Sequence, residues 1–141
     1  MVDIAVLRGD EVLLGGKKTD DANLWRFIGG LVDPDDATLE YAALREFGEE
    51  AQGIEVAEPR YIGSTMIEDW RYKDSGESGM TTFFRSDYIS GTALPGDDLN
   101  RITWKHVSEL PECLVPEHIA LGQMFLQSLS TPASELISIA L

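Results

Sequence analysis

The segment LVDPDDATLEYAALREFGEEAQGI, residues 31–54, constrains the fold most, because the spacing of its apolar residues changes there from two to nearly four. Before it the chain alternates. VDIAVLR and EVLLGG are short β-type runs divided by Gly9 and Asp10, residue types that favour a tight hairpin. KKTDDAN reads as a polar loop, and LWRFIGG predicts another short strand that closes on two glycines. Asp35 or Asp36 then suits the cap of a helix whose apolar side runs through Leu39, Ala43, Phe47 and Ala51, with Gly53 as its stop.

Downstream, residues 60–72, 81–89 and 101–107 are β-rich, and the loops KDSGESG and SGTALPGDD are made of turn formers. VSELPE predicts a helical turn, and PEHIALGQMFLQSL a second amphipathic helix with Pro116 near its first turn. There is no repeat, no low-complexity linker and no internal boundary, so residues 1–141 are expected to form a single domain. The apolar segment STPASELISIAL is expected to pack on that same domain. A chain of this length buries a core without disulfides, and the single cysteine, Cys113, excludes an internal one. With no CxxC pair, no basic-then-apolar leader and no apolar run near the roughly 20 residues of a membrane span, a reducing cytoplasmic setting is expected.

The last two turns of the predicted helix raise a physical question. At about 100° per residue, Glu49 and Glu50 lie within about 60° and 40° of Glu46, in the sector that Leu39 and Ala42 occupy upstream. Like charges at such spacings repel, and acids near a helix C-terminus oppose the macrodipole. These carboxylates are therefore expected to face inward or into a cleft, where a cation must offset the cost of burial. Arg45 is expected to neutralise one of them. A hard divalent metal accepts several carboxylate oxygens beside substrate phosphates. Twenty-five acids against eleven bases, a net charge of −14, argue against a nucleic-acid polymer or a membrane as partner. A small anionic substrate remains compatible, because a bound cation reverses the local field.

The stretch GGLVDPDDATLEYAALREFGEEAQGI resembles the signature box of the Nudix hydrolases, which runs Gly, five residues, Glu, seven residues, Arg-Glu, an apolar residue, any residue, Glu-Glu, any residue, Gly, apolar. Gly30, Arg45, Glu46, Phe47, Glu49, Glu50, Gly53 and Ile54 match, with Asp36 in place of the first Glu and Asp35 or Glu40 as other candidates for that role. Eight residues separate Asp36 from Arg45, Gln52 adds one before Gly53, and Ile28 stands where many members have proline. The resemblance implies the family's α/β/α sandwich, with a mixed sheet between helices. It also implies Mg2+ or Mn2+ as cofactor and hydrolysis of a nucleoside diphosphate linked to another group. By position it makes Glu46, Glu49, Glu50 and the Gly30 carbonyl metal ligands, and Arg45 the residue that orients the glutamates. Members are often homodimers.

A general base outside the box is common in the family, and Asp97 and Asp98 in PGDDLNRITW are the candidates for base or extra ligand, ahead of Glu68 and Asp69. Trp70, Arg71 and Tyr72, beside a Gly/Ser-rich loop, together with Arg26, are candidates for substrate binding, since aromatics stack on bases and arginine grips phosphate. The order DWRY, MTTFF, GDD is similar to Nudix domains associated with nicotinamide nucleotides and ADP-ribose. Nucleoside triphosphates and dinucleoside polyphosphates are the alternative substrates, and a nucleotide sensor that does not cleave, or a purely structural domain, the alternative classes. His106 and His118 are read as structural or surface residues, and Cys113 as a buried or inert thiol.

Overall fold

The computed structural model describes residues 1–67 and 79–130. In chain order these form β1 (Val2–Arg8), β2 (Glu11–Lys17), β3 (Ile28–Gly30), α1 (Leu39–Glu50), β4 (Ala51–Val56), β5 (Arg60–Ile67), β6 (Gly79–Pro95) and β7 (Leu99–His106). A 3-10 turn at Val107–Glu109, a second at Pro116–His118 and the helix α2 (Ile119–Ser128) follow. Strands run in the order β4-β6-β1-β2-β7, with β3 paired to β1 and β5 to β6. β1 and β6 are parallel and the other strand pairs are antiparallel, so the sheet is mixed, and α1 and α2 lie against opposite faces of it, giving the expected α/β/α sandwich.

Alternation along the strands explains the two layers. Val2, Ile4 and Val6 of β1, Leu13 of β2 and Phe84 of β6 pack with Ala42, Ala43 and Phe47 of α1. Their neighbours Ala5, Val12, Leu14 and Phe83 point the other way and pack with Leu121 and Phe125 of α2. Truncating the fully buried Phe125 to alanine would cost about 3–5 kcal/mol.

The site is positioned by a change of partner along β1. Its C-terminal end pairs with β2 through Leu7 and Arg8, whereas Val2, Asp3 and Ile4 pair with Gly30, Gly29 and Ile28 of β3. β3 thus sits in the gap where β1 and β2 diverge, and its two glycines leave that end of the sheet open.

Several boundaries differ from expectation. Thr38, not Asp35 or Asp36, caps α1, its Oγ1 accepting from the Tyr41 N–H at 3.0 Å. Leu39 is exposed, and the buried side of α1 is Ala42, Ala43, Glu46, Phe47 and Glu50. The helix stops at Glu50 rather than at Gly53, because Ala51–Val56 is drawn into the sheet as β4 by β6. Gly53, at φ +88°, lies at a register shift facing Gly91, at φ +94°; a Cβ on Gly91 would strike the Gly53 carbonyl, so both positions require glycine. LWRFIGG contributes only three residues to its strand, Trp25 and Arg26 making isolated bridges instead. β6 extends at both ends beyond the expected 81–89, to Gly79 and Pro95, and the second amphipathic helix begins only after the 3-10 turn that holds Pro116. No helix among the described residues is long and apolar enough to cross a membrane.

Candidate active site

Arg45 organises the carboxylates. Its Nε donates to Asp36 Oδ1 at 2.9 Å and its Nη2 to Asp36 Oδ2 at 2.8 Å and to the Leu31 carbonyl at 3.0 Å. Its Nη1 donates to Glu46 Oε1 at 3.0 Å and to Glu49 Oε1 at 3.3 Å. One guanidinium therefore ties the loop before α1 to two of the box glutamates, rather than neutralising one acid as expected. The bonds to Asp36, then to Glu46, raise the Arg45 pKa further, and they hold Asp36 below the usual carboxylate range. Asp36 has its side chain buried against Arg45, whereas Asp35 and Glu40 are exposed.

The three glutamates do not share one environment. Glu46 and Glu50 are 9% and 5% exposed, while the Glu49 side chain is 48% exposed and pairs with Arg45, outside the cleft. The helical sector expected to face inward is narrower than three residues, and Glu49 falls at its solvent edge. Burial raises the Glu46 carboxyl, with the Arg45 bond opposing it. Burial also pushes Glu50 up to about 7, against the Gly29 N–H that donates to its Oε2 at 3.3 Å, with Glu46 and Asp97 adding repulsion. A Cβ at Gly30 would collide with the Glu46 carboxylate, so glycine there is what lets the acid approach the β3 backbone.

Asp97 and Asp98 close the cluster. They lie in the turn between β6 and β7, fixed where the Leu99 N–H donates to the Gly96 carbonyl at 3.0 Å and the Gly96 N–H to the Glu50 carbonyl at 2.9 Å. Asp97 occupies the left-handed region, at φ 49°, which a short polar side chain tolerates. Ligand oxygens of Glu50, Asp97 and Asp98 lie within 4.8 Å of one another.

These groups line a cleft of about 700 Å³, a size suited to a small-molecule site. Arg26 also lines it, with its fork engaged: Nε and Nη2 donate to Asp20 Oδ2 and Oδ1, both at 2.8 Å, and Glu117 lies 3.7 Å away. Arg26 thereby braces the loop after β2 from within. Arg101 braces it from outside, donating to the carbonyls of Asp21, Ala22 and Leu24 at 2.7–2.8 Å while lying 4.3 Å over the Trp25 ring. Asp3, 6% exposed, lines the same cleft, and burial pushes its carboxyl up to about 7 against the hydrogen bond from Thr81. His118, read as structural or surface, is buried, and its Nδ1 accepts the Phe27 N–H at 2.9 Å.

Of the sequence candidates, Gly30, Glu46, Glu50, Asp97, Asp98 and Arg26 meet in this cleft, with Arg45 behind it. Trp70, Arg71 and Tyr72, with Glu68 and Asp69, lie outside the described residues. Asp3 and Asp20 were not among the candidates. The isolated acid in the apolar run VDIAVLR was the available signal for Asp3. His106 is exposed and caps a 3-10 turn through the Ser108 N–H, and the half-buried Cys113 thiol is pushed up by burial, which leaves it unreactive.

Residues 1–125 match the NUDIX domain family. The NAD-capped RNA hydrolase NudC of Stutzerimonas stutzeri is 28% identical over 118 residues, which cover 83% of this chain and 40% of that protein. The chain thus spans about two fifths of the length of the curated relatives it matches. The crystal structure of a MutT NUDIX hydrolase from Burkholderia pseudomallei superimposes with a TM-score of 0.69 at 25% identity, covering 86% of this chain and 94% of that one. The NUDIX domain of Shewanella oneidensis NrtR, solved with ADP ribose, has the same fold, with a TM-score of 0.68 at 17% identity over 91% and 86% of the two chains.

Proposed function

The chain belongs to the Nudix family, and on that premise we propose that it is a divalent-metal-dependent pyrophosphohydrolase acting on a nucleoside diphosphate linked to another moiety, ADP-ribose or a related nucleotide. The observation that carries this is the meeting of Glu50, Asp97 and Asp98 within 4.8 Å, beside Gly30 and Glu46, in one cleft.

The donor set fits Mg2+ or Mn2+. Every group is a hard oxygen, and Glu50 is a buried acid held beside other acids with the Gly29 N–H donating to it, an arrangement a cation relieves. Glu46, Glu50 and the Gly30 carbonyl would hold the ion, with Asp97 or Asp98 completing the set and Glu49 joining by the family pattern. When bound, such an ion polarises phosphate oxygens and lowers the pKa of a coordinated water. The chain's residues do the rest. Arg45 holds Glu46 in place, and the Gly29 N–H orients Glu50. Asp98 or Asp97 accepts a proton from the attacking water as its oxygen bonds to phosphorus. The bridging P–O bond breaks, and two phosphomonoesters leave. We further propose that residues 1–141 act as one domain, in the cytoplasm, on a small nucleotide. Although the Stutzerimonas stutzeri relative bears the name of an RNA hydrolase, a net charge of −14 disfavours the RNA body.

A panel of ADP-ribose, NAD, sugar nucleotides, dinucleoside polyphosphates and nucleoside triphosphates, assayed with Mg2+, Mn2+ or chelator, tests this. Metal-dependent release of a nucleoside monophosphate supports the reading and names the substrate. Metal binding with no turnover of any compound would replace it with a nucleotide sensor.

A further inference from the structure

Asp3 is a buried acid that the proposed chemistry does not use. It shares the α2 face of β1 with Ala5, on the far side of the sheet from α1, yet it lines the same cleft, paired with Gly29. A Cβ at Gly29 would strike the Asp3 carboxylate and the Val2 carbonyl, so glycine there lets β3 lie close against Asp3. One oxygen of Asp3, Oδ2, accepts the hydroxyl of the fully buried Thr81 at 2.6 Å, and the other lies 3.9 Å from His118 Nε2. The His118 ring is fixed in turn, by the Phe27 N–H and by stacking on the Phe27 ring at 19°. The cleft that holds this carboxyl has Ile67, Val115 and Pro116 in its lining, and the N-terminal amine, Arg26 and Lys17 lie near enough to act on its charge.

A carboxyl in such surroundings costs stability, as its raised pKa records, so packing alone does not account for it. The faces of a flat heterocycle suit the apolar lining, and its N–H groups suit a fixed acceptor. We propose that Asp3, oriented by Thr81, is a specificity-determining residue that accepts a hydrogen bond from a ring N–H or exocyclic amine of the substrate's nucleobase. The identity of the ligand as a nucleotide rests on the hydrolase reading above, and the location rests on the geometry of Asp3.

Neutral nucleosides test it without metal or turnover. Adenosine, guanosine, cytidine, uridine and, as the base-free control, ribose are titrated into wild type, Asp3→Ala and Asp3→Asn in chelator, with thermal melts to confirm folding. At least one nucleoside should bind wild type tenfold or more tighter than ribose. Asp3→Ala should cut that advantage at least fivefold, and Asp3→Asn, which keeps the volume and is expected to fold, should change the ranking of the four bases. Wild type that does not distinguish any nucleoside from ribose, or folded variants that keep the wild-type ranking, would overturn the proposal. Because no cleavage is read, a protein that ranks bases and hydrolyses nothing refutes the hydrolase reading alone.

Discussion

Arg45 holds Asp36 with two parallel hydrogen bonds, at 2.9 and 2.8 Å, across eight intervening residues. The pair anchors the loop that follows Gly30 to the helix that carries Glu46 and Glu50, so the extra residue between the two halves of the box is absorbed without loosening it. Asp36→Ala should therefore fold but lose about tenfold or more in kcat, and Arg45→Lys, which lacks the fork, should resemble it. Steady-state kinetics with circular dichroism check this; an Arg45→Lys enzyme of wild-type kcat would contradict it.

Gly30→Ala places a methyl group where the Glu46 carboxylate lies. A displacement near 1 Å at a ligand costs on the order of a hundredfold in rate. The variant should show that loss with an intact far-ultraviolet spectrum, and unchanged kcat would mean that Glu46 does not need its close approach to β3.

Asp3 gives the stability a defined pH dependence. Its carboxyl is raised from 3.8 to about 7 by burial, so between these values the folded protein holds a proton that the unfolded chain releases. Stability from this group is fully present below about 4 and is lost as pH rises through 7. The Tm of wild type minus that of Asp3→Asn should fall by about 5 °C or more from pH 4 to pH 8, the difference cancelling the repulsion common to both acidic chains. Calorimetry reads it, and a difference flat across that range would show Asp3 ionised in the fold.

Mg2+ or Mn2+ should raise the Tm, because an ion that binds only the folded state stabilises it by about 2.7 kcal/mol at a hundredfold excess over Kd. Chelator should reverse the rise. Glu50→Gln should abolish it, whereas Glu49→Gln, at an exposed residue outside the cleft, should reduce it less. Equal losses in the two variants would mean that Glu49 leaves Arg45 to serve the ion.

Local chemistry was legible in the sequence. The helix and the acids on it follow from periodicity and charge, and those two signals locate Glu46 and Glu50. What the sequence hid were long-range choices. Asp35, Asp36 and Thr38 are all good cap residues, and only the contact with Arg45, nine positions on, removes Asp36 from that role. AQGIEV continues a helical spacing, and its place in the sheet depends on β6, whose pairing residues lie some forty positions away. Glu49 and Glu50 are adjacent and alike in type, yet a turn of the helix puts one in solvent and the other against Gly29. Asp3 became meaningful only when Thr81 and His118, from distant parts of the chain, met it in the cleft.

The most direct measurement is turnover of the best substrate of the panel by wild type, Glu50→Gln and Asp98→Asn, each with Mg2+ and with chelator. Metal-dependent release of a nucleoside monophosphate by wild type, reduced at least a hundredfold in Glu50→Gln and more than tenfold in Asp98→Asn, is the predicted result. Turnover that persists in chelator, or that Glu50→Gln retains in full, would contradict a metal-dependent hydrolase built on this cleft.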